Sequence, residues 1–200
     1  MSDRPRRTAT YEDVLRAPEN HVAEILDGEL HVSPRPARRH TRTASSLGGR
    51  LVTLFDDGPN DEGGGWVILY EPELHLAADV VVPDLAGWRI ERFPADDPDH
   101  DPPFFTATPD WVCEILSAGT ARVDRMKKVP IYARERVTHV WLVDPRERSI
   151  EVLRILGERY ELLGTWGGDV GPFTLEPFES APLPASAFWG RPIPPRSTAP

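Results

Sequence analysis

Four residues of this 200-residue chain have the types and surroundings that chemistry needs: Glu114, Asp84, Glu24 and Lys128. Glu114 sits inside Trp111 to Leu116, a short run that is otherwise apolar. Side chains alternate along a strand, so Trp111, Cys113 and Ile115 share one face and Val112, Glu114 and Leu116 the other. A carboxylate among apolar neighbours is costly unless it is paired or binds a metal. The plainer alternative is a glutamate at the solvent end of a strand, paired with an arginine. Asp84 follows Pro83, which cannot sit inside a central strand, so its carboxylate is displayed at a strand end. There it either caps a turn or stands where open α/β sheets place their chemistry. Glu24 shares a face with Val22 and Leu26, a second acid in an apolar pattern, or else an edge-strand residue facing water.

The basic residues carry a second signal. Of 23 Lys and Arg, only Lys127 and Lys128 are lysines, and both follow the strand that holds Glu114. An ammonium can be tuned by its surroundings, whereas a guanidinium stays charged. Two carboxylates at neighbouring strand ends make a hard oxygen site suited to Mg²⁺ or Mn²⁺. Such an ion polarises a phosphodiester and lowers the pKa of bound water. A lysine beside it orients that water or stabilises the transition state.

The elements that must position these groups are legible in outline. Asp110 to Pro145 reads as strand, helix and strand, a βαβ unit with two central parallel strands. His21 to Val32 reads as a hairpin turning at Asp27-Gly28. Tyr11 to Arg16 suggests a helical turn or two, ended before Pro18. Ser33 to Arg42 reads as a basic loop containing Arg35, Arg38, Arg39, His40 and Arg42, followed by a helix from Thr43 to Phe55. A basic loop feeding a helix N-terminus is either a phosphate site or a solvated loop. Trp66 to Leu76 reads as one strand, and Ala78 to Val82 as a short one. Arg89 to Pro109 reads as an exposed acidic, proline-rich loop. Ile150 to Leu156 and Arg159 to Leu163 form a hairpin turning at Gly157-Glu158. Residues 1–10 and 190–200 are expected to be tails around one domain at 11–189, with Phe188-Trp189 docking on it.

Composition excludes several classes. Forty per cent hydrophobic residues suffice for a core, and no run approaches the ~20 apolar residues of a membrane span. No secretory leader is visible. A single cysteine, Cys113, forms no internal disulfide and fits a reducing cytoplasm. The formal charge of −9 argues against nonspecific coating of nucleic acid, but not against a nuclease, whose metal-holding acids are themselves negative.

Taken in order, Glu24-Ile-Leu-Asp-Gly-Glu-Leu, Pro83-Asp84, Glu114-Ile-Leu-Ser, Asp124-Arg-Met-Lys-Lys, Tyr132-Ala-Arg and Trp141-Leu-Val-Asp-Pro resemble the Uma-two family, within the PD-(D/E)xK nuclease superfamily. The resemblance spans Tyr11 to Phe188. It implies a restriction-endonuclease-like α/β core, a central mixed β-sheet flanked by helices with an N-terminal β-hairpin. It implies a metal-dependent endonuclease acting on DNA, with Asp84 and Glu114 binding Mg²⁺ or Mn²⁺ and the Ile115 carbonyl as a further ligand. Glu24 would support that network, and Arg35, Arg38, Arg39, His40 and Arg42 would contact DNA. A homodimer is suggested by the same resemblance. One departure stands out: the usual lysine two residues after the acid is Leu116 here. The resemblance implies that the lysine has moved to the following helix, at Lys128, with Asp124 four residues earlier on the same face. That departure also motivates an alternative, a nuclease-fold binding or regulatory protein with weak or no cleavage. A hydrolase of small phosphates would need a glycine-rich phosphate loop, and none is present.

Overall fold

The structure is a computed structural model and describes residues 7–57, 64–95 and 101–191. Most of both expected tails, and the core of the acidic loop at 96–100, lie outside the described residues.

The chain builds two sheets. The larger has six strands in the order β10 (Arg159–Gly167), β9 (Ser149–Leu156), β8 (His139–Asp144), β7 (Trp111–Ile115), β6 (Leu85–Arg89) and β3 (Trp66–Tyr70). Only β7 and β8 run parallel among the described pairs, Glu114 lying opposite Leu142. The smaller sheet is antiparallel, ordered β2 (Glu29–Pro34), β1 (His21–Leu26), β5 (Asp79–Val81) and β4 (Leu74–Leu76). The β1–β2 hairpin turns at Asp27 and Gly28, both at positive φ (52° and 78°). That is the backbone an Asp-Gly turn supplies at least cost.

The alternation along β7 divides two cores. Trp111, Cys113 and Ile115 pack with Leu47, Leu51, Phe178 and Phe188 on one face of the larger sheet. Val112 and Leu116 pack with Ile131, Tyr132, Leu26 and Leu74 on the other. The first face is covered by α2 (Arg38–Leu51, extended by a wide turn over Val52–Asp56) and α5 (Ala185–Trp189). The second is covered by the smaller sheet and by one helical stretch. That stretch runs through α3 (Ala121–Val123), a π-helical turn (Asp124–Lys128) and α4 (Val129–Arg134). A short α1 (Tyr11–Leu15) precedes the hairpin.

Two expectations are corrected and one unassigned segment is filled. Trp66 to Leu76 is not one strand: the chain breaks at Glu71 (φ 44°), and β3 and β4 join different sheets. Pro72 explains the break, since it has no N–H to continue a ladder. The basic segment is not a loop throughout, because α2 begins at Arg38 and takes Arg38, Arg39, His40 and Arg42 into its first turns. Finally, Leu85 to Trp88, unassigned from sequence, is the buried body of β6 between β3 and β7. Gly48, an unfavourable residue for a helix interior, has a packing reason. A Cβ there would fall 2.2 Å from the tip of the Tyr70 ring, so the half-exposed Tyr70 side chain lies against α2 as closely as it does because residue 48 is glycine.

Candidate active site

Val82-Pro83-Asp84 is the link by which the chain leaves β5 in the smaller sheet and enters β6 in the larger. At this seam lies a cavity of about 470 Å³. Glu24 from β1, Asp84 from the link, Glu114 from β7, and Asp124 and Lys128 from the π-helical turn all line it, with His40 from α2. Three sequence-distant candidates and Glu24 therefore meet in one place.

Lys128 is the hub. Its Nζ lies 2.8 Å from Glu114 Oε1 and 3.1 Å from Glu24 Oε1, and donates to the Val82 carbonyl at 3.0 Å. Three oxygens, two from carboxylates and one from a carbonyl, thus lie within 3.1 Å of an ammonium that has three N–H groups to give. Glu24 Oε1 in turn accepts the Val82 N–H at 2.9 Å. One buried cation thus ties together β1, β7, the Val82 link and the helix. Burial works against the charged lysine, but the charges of Glu114, Glu24 and Asp124 overrule it and raise its pKa. The wide turn is what brings Asp124 and Lys128 to the same cavity. The N–H of Val129 bonds the carbonyl of Asp124, five residues back, and Pro130 just beyond has no N–H with which to tighten the ladder. Lys127 points elsewhere, toward Asp27 and Glu29 at 3.5 and 3.9 Å.

Glu114 is 2% exposed, too little to be the solvent-end glutamate of the plainer alternative. Burial raises its pKa well above the ordinary carboxylate range. Lys128 pulls it back, while Asp124, Asp84 and Glu24 push it further up. Its Oε1 also accepts the hydroxyl of the fully buried Tyr132. Burial, followed by the charge of Glu114, keeps that phenol protonated and therefore a donor. Asp124 is pushed up to about 6, chiefly by burial, with Lys128 and Thr120 opposing.

Asp84 is held from two sides. Its Oδ2 accepts the Ile115 N–H at 2.7 Å, and His40 Nε2 lies 3.1 Å away. Desolvation would lower the pKa of His40, but the hydrogen bond and charge of Asp84 win and raise it. His40 Nδ1 is buried and has no hydrogen-bond partner among the described residues. Ile115 thus touches Asp84 through its N–H, while its side chain packs in the opposite core and does not line the cavity. Leu116, in the usual lysine position, is buried in the same core as Tyr132.

The five basic candidates separate. Arg35 lines the acidic cavity and pairs with Glu71 at 3.2 Å. Arg38 is exposed. Arg39 and Arg42 line a different cavity, with Arg146, Arg148 and Trp189.

Sequence reasoning missed Tyr132 and Asp124 as members of the site. Both lay inside quoted motifs, and Asp124 was already placed four residues from Lys128. The missing step was that a wide turn keeps Asp124, Lys128 and Tyr132 over the same strand.

The donor set fits a hard divalent cation of one kind. Among the described residues no three His, Cys, Asp or Glu side chains are arranged to enclose a metal. A caged ion such as structural zinc does not fit. Mg²⁺ does, because it takes one or two carboxylates and keeps several waters. Five carboxylates face one ammonium, one guanidinium and one imidazole here, an excess of negative charge that a cation relieves.

Comparison with known proteins bears on the fold and the family. The solved structure of a "putative nuclease belonging to DUF820" from Anabaena variabilis ATCC 29413 matches with a TM-score of 0.69. It covers 90% of this chain and 97% of that one at 19% identity, a likeness of fold. A search of curated proteins gives no match. The model of the Uma2 family, described as "putative restriction endonuclease", matches residues 9–182. That match spans most of the chain and both sheets, and with the six ordered motifs it establishes that this protein belongs to the Uma2 family.

Proposed function

We propose that the protein is a metal-dependent endonuclease that hydrolyses DNA phosphodiester bonds at the seam between its two sheets. The observation that carries this reading is the ammonium of Lys128 lying 2.8 Å from Glu114, in the same cavity as Asp84. Asp84 and Glu114 would hold Mg²⁺ or Mn²⁺, with the Ile115 carbonyl as a further donor implied by the family resemblance. When bound, the ion would polarise the phosphodiester and lower the pKa of water.

The chain's own residues do the rest. The Ile115 N–H and His40 fix the Asp84 carboxylate, and Tyr132 and Lys128 fix Glu114, so neither acid must reorganise during reaction. Lys128 stays charged throughout the working pH range. Its bond to Glu24, at 3.1 Å the longest of the three, is the one exchanged for the attacking water or a phosphate oxygen. Glu24 Oε1 keeps the bond it accepts from the Val82 N–H when Lys128 leaves it.

Nicking of supercoiled plasmid with Mg²⁺ or Mn²⁺ tests this reading. Wild type should nick, and Asp84→Asn and Glu114→Gln should each lose at least a hundredfold in rate, since each removes charge from the ion's ligands. Nicking that survives both substitutions rules out this site. One observation favours a second reading, a nuclease-fold binding protein: Lys128 is already surrounded by three protein oxygens within 3.1 Å. Calorimetric titration with Mn²⁺ separates the two. Mn²⁺ binding that Glu114→Gln abolishes, together with nicking, supports the enzyme. DNA binding without either supports the binding protein.

A further inference from the structure

On the other side of α2 lies a second cavity, of about 370 Å³, with the opposite character. It is lined by Arg39, Arg42, Arg146 and Arg148, together with Trp189, and by no acid. In a chain with 32 acids against 23 bases, four converging guanidinium groups are not a random surface. We propose that this cavity binds the phosphodiester backbone of the DNA strand next to the phosphate engaged in the acidic cavity. This assignment rests on the DNA reading above and extends it to residues outside the original basic segment.

The charges left over after internal pairing support it. Arg146 is bound to Asp144 at 3.0 Å, and Arg148 is paired with Asp169. Arg39 has no hydrogen bond or ion pair among the described residues. Arg42 donates only to a carbonyl, that of Arg191. Two positive charges therefore lack a carboxylate partner, and an anion is the partner that fits. Residues three apart share a helix face, so Arg39 and Arg42 present these two charges together.

The walls are fixed before any ligand arrives. Trp189 Nε1 donates to the Gly168 carbonyl at 2.9 Å, and Thr43 Oγ1 to the Phe188 carbonyl at 2.8 Å, which joins α5 to α2. Gly190 has φ 70°, and a Cβ there would lie 2.5 Å from Arg42 Nε. The guanidinium can lie against that backbone only because the residue is glycine.

Position argues for a polymer rather than a single small anion. Arg39 and His40 are consecutive in α2, yet His40 contacts Asp84 in the acidic cavity. One helix therefore presents adjacent residues to both cavities. A nucleic acid strand carries a charge about every 3.4 Å. A strand crossing α2 would set one phosphate by the acids and the following ones among the arginines. Lysine would neutralise charge there, but the planar guanidinium also pairs two oxygens at once.

The test is fluorescence anisotropy of a short labelled duplex in EDTA, where cleavage cannot occur, across a salt series. Arg39→Ala/Arg42→Ala should weaken binding roughly tenfold and reduce the salt slope by about 1 to 2. Unchanged affinity and slope in the double arginine variant overturn the proposal. So does displacement of the duplex by millimolar inorganic phosphate with the same dependence on Arg39 and Arg42, which would mark a free-anion site. If wild type fails to nick plasmid yet the arginine effect holds, the strand track stands and the nuclease reading falls. If nicking depends on Asp84 but is indifferent to the arginines in KM and in anisotropy, the track falls alone.

Discussion

The two cavities flanking α2 solve opposite problems. In the acidic one, charges are almost wholly removed from water. Glu114, Lys128 and Asp124 are 2%, 3% and 5% exposed. Each persists only because its neighbours compensate it, as with Lys128 and its three acceptors. In the basic one, the arginines keep access to solvent: Arg146 and Arg148 are 43% and 49% exposed. The contrast separates two meanings of a charged cluster. A desolvated cluster is coupled to the fold, and removing one member strands the others. A solvated cluster is screened by water and salt, so its members act on a ligand while barely affecting folding.

The largest test of this contrast is Lys128→Met against Lys127→Met. Removing the buried ammonium leaves Glu114 and Glu24 without their common partner and the Val82 carbonyl without its donor. Breaking such a group costs on the order of 3 to 5 kcal/mol. The loss should be greatest at neutral pH and shrink in acid, as protonation discharges the stranded carboxylates. Lys127 touches Asp27 and Glu29 only near the surface, and its removal should change stability by no more than about 0.5 kcal/mol. Urea denaturation of both variants at pH 7 decides it. Similar losses in the two would mean that Lys128 is not the hub its geometry describes.

That pair of lysines also marks how far sequence reasoning reached. Glu114 was legible because strand alternation is rigid: an acid on the Val112–Leu116 face had to be buried once the strand was central. The βαβ unit and both Asp-Gly and Gly-Glu hairpins were legible for the same reason, being local and periodic. Choosing Lys128 over Lys127 needed only helical spacing. What sequence could not carry was contact between distant segments. Nothing local says that Glu71 leaves one sheet for another, or that Leu85–Trp88 fills the gap between β3 and β7. Nor does the basic segment reveal that α2 would send His40 to Asp84 and Arg39 to the opposite side. Arg146, Arg148 and Trp189 join Arg39 only through the tertiary fold.

One aspartate in the acidic cavity and one beside the basic cavity are shifted in opposite directions, which gives a pH test of the same contrast. Asp124 is raised to about 6, first by burial. The fold therefore favours its protonated form. Its contribution to stability is fully present below its unfolded pKa near 4 and is lost as pH rises through about 6. Asp144, beside the arginine cavity, is lowered. Burial opposes ionisation, but the Arg146 side chain and the N–H groups of Arg146 and Glu147 outweigh it. Its contribution is present above its unfolded pKa and lost as pH falls through the lower folded value. Asp124→Asn should therefore stabilise the protein by about 1 to 2 kcal/mol at pH 7 to 8, the gain disappearing toward pH 4. Asp144→Asn should destabilise it at neutral pH, with the gap narrowing only in strong acid. Thermal melts in EDTA across this pH range read both. Parallel responses would remove the distinction between the two environments.

The smallest expected effect is the most searching for the solvated side. Arg148 pairs with Asp169, which is 74% exposed, and the pair lies at the open rim of the basic cavity. Holding two long, hydrated side chains together gains little beyond what screening and lost rotamer freedom remove. Arg148→Ala should shift stability by less than about 0.5 kcal/mol, and the shift should vanish in high salt. The same substitution should still reduce the salt slope of DNA binding, because a phosphate competes for the guanidinium better than an exposed aspartate does. A stability loss above about 1 kcal/mol would place Arg148 among the structural charges, and the difference between the two cavities would then be one of degree.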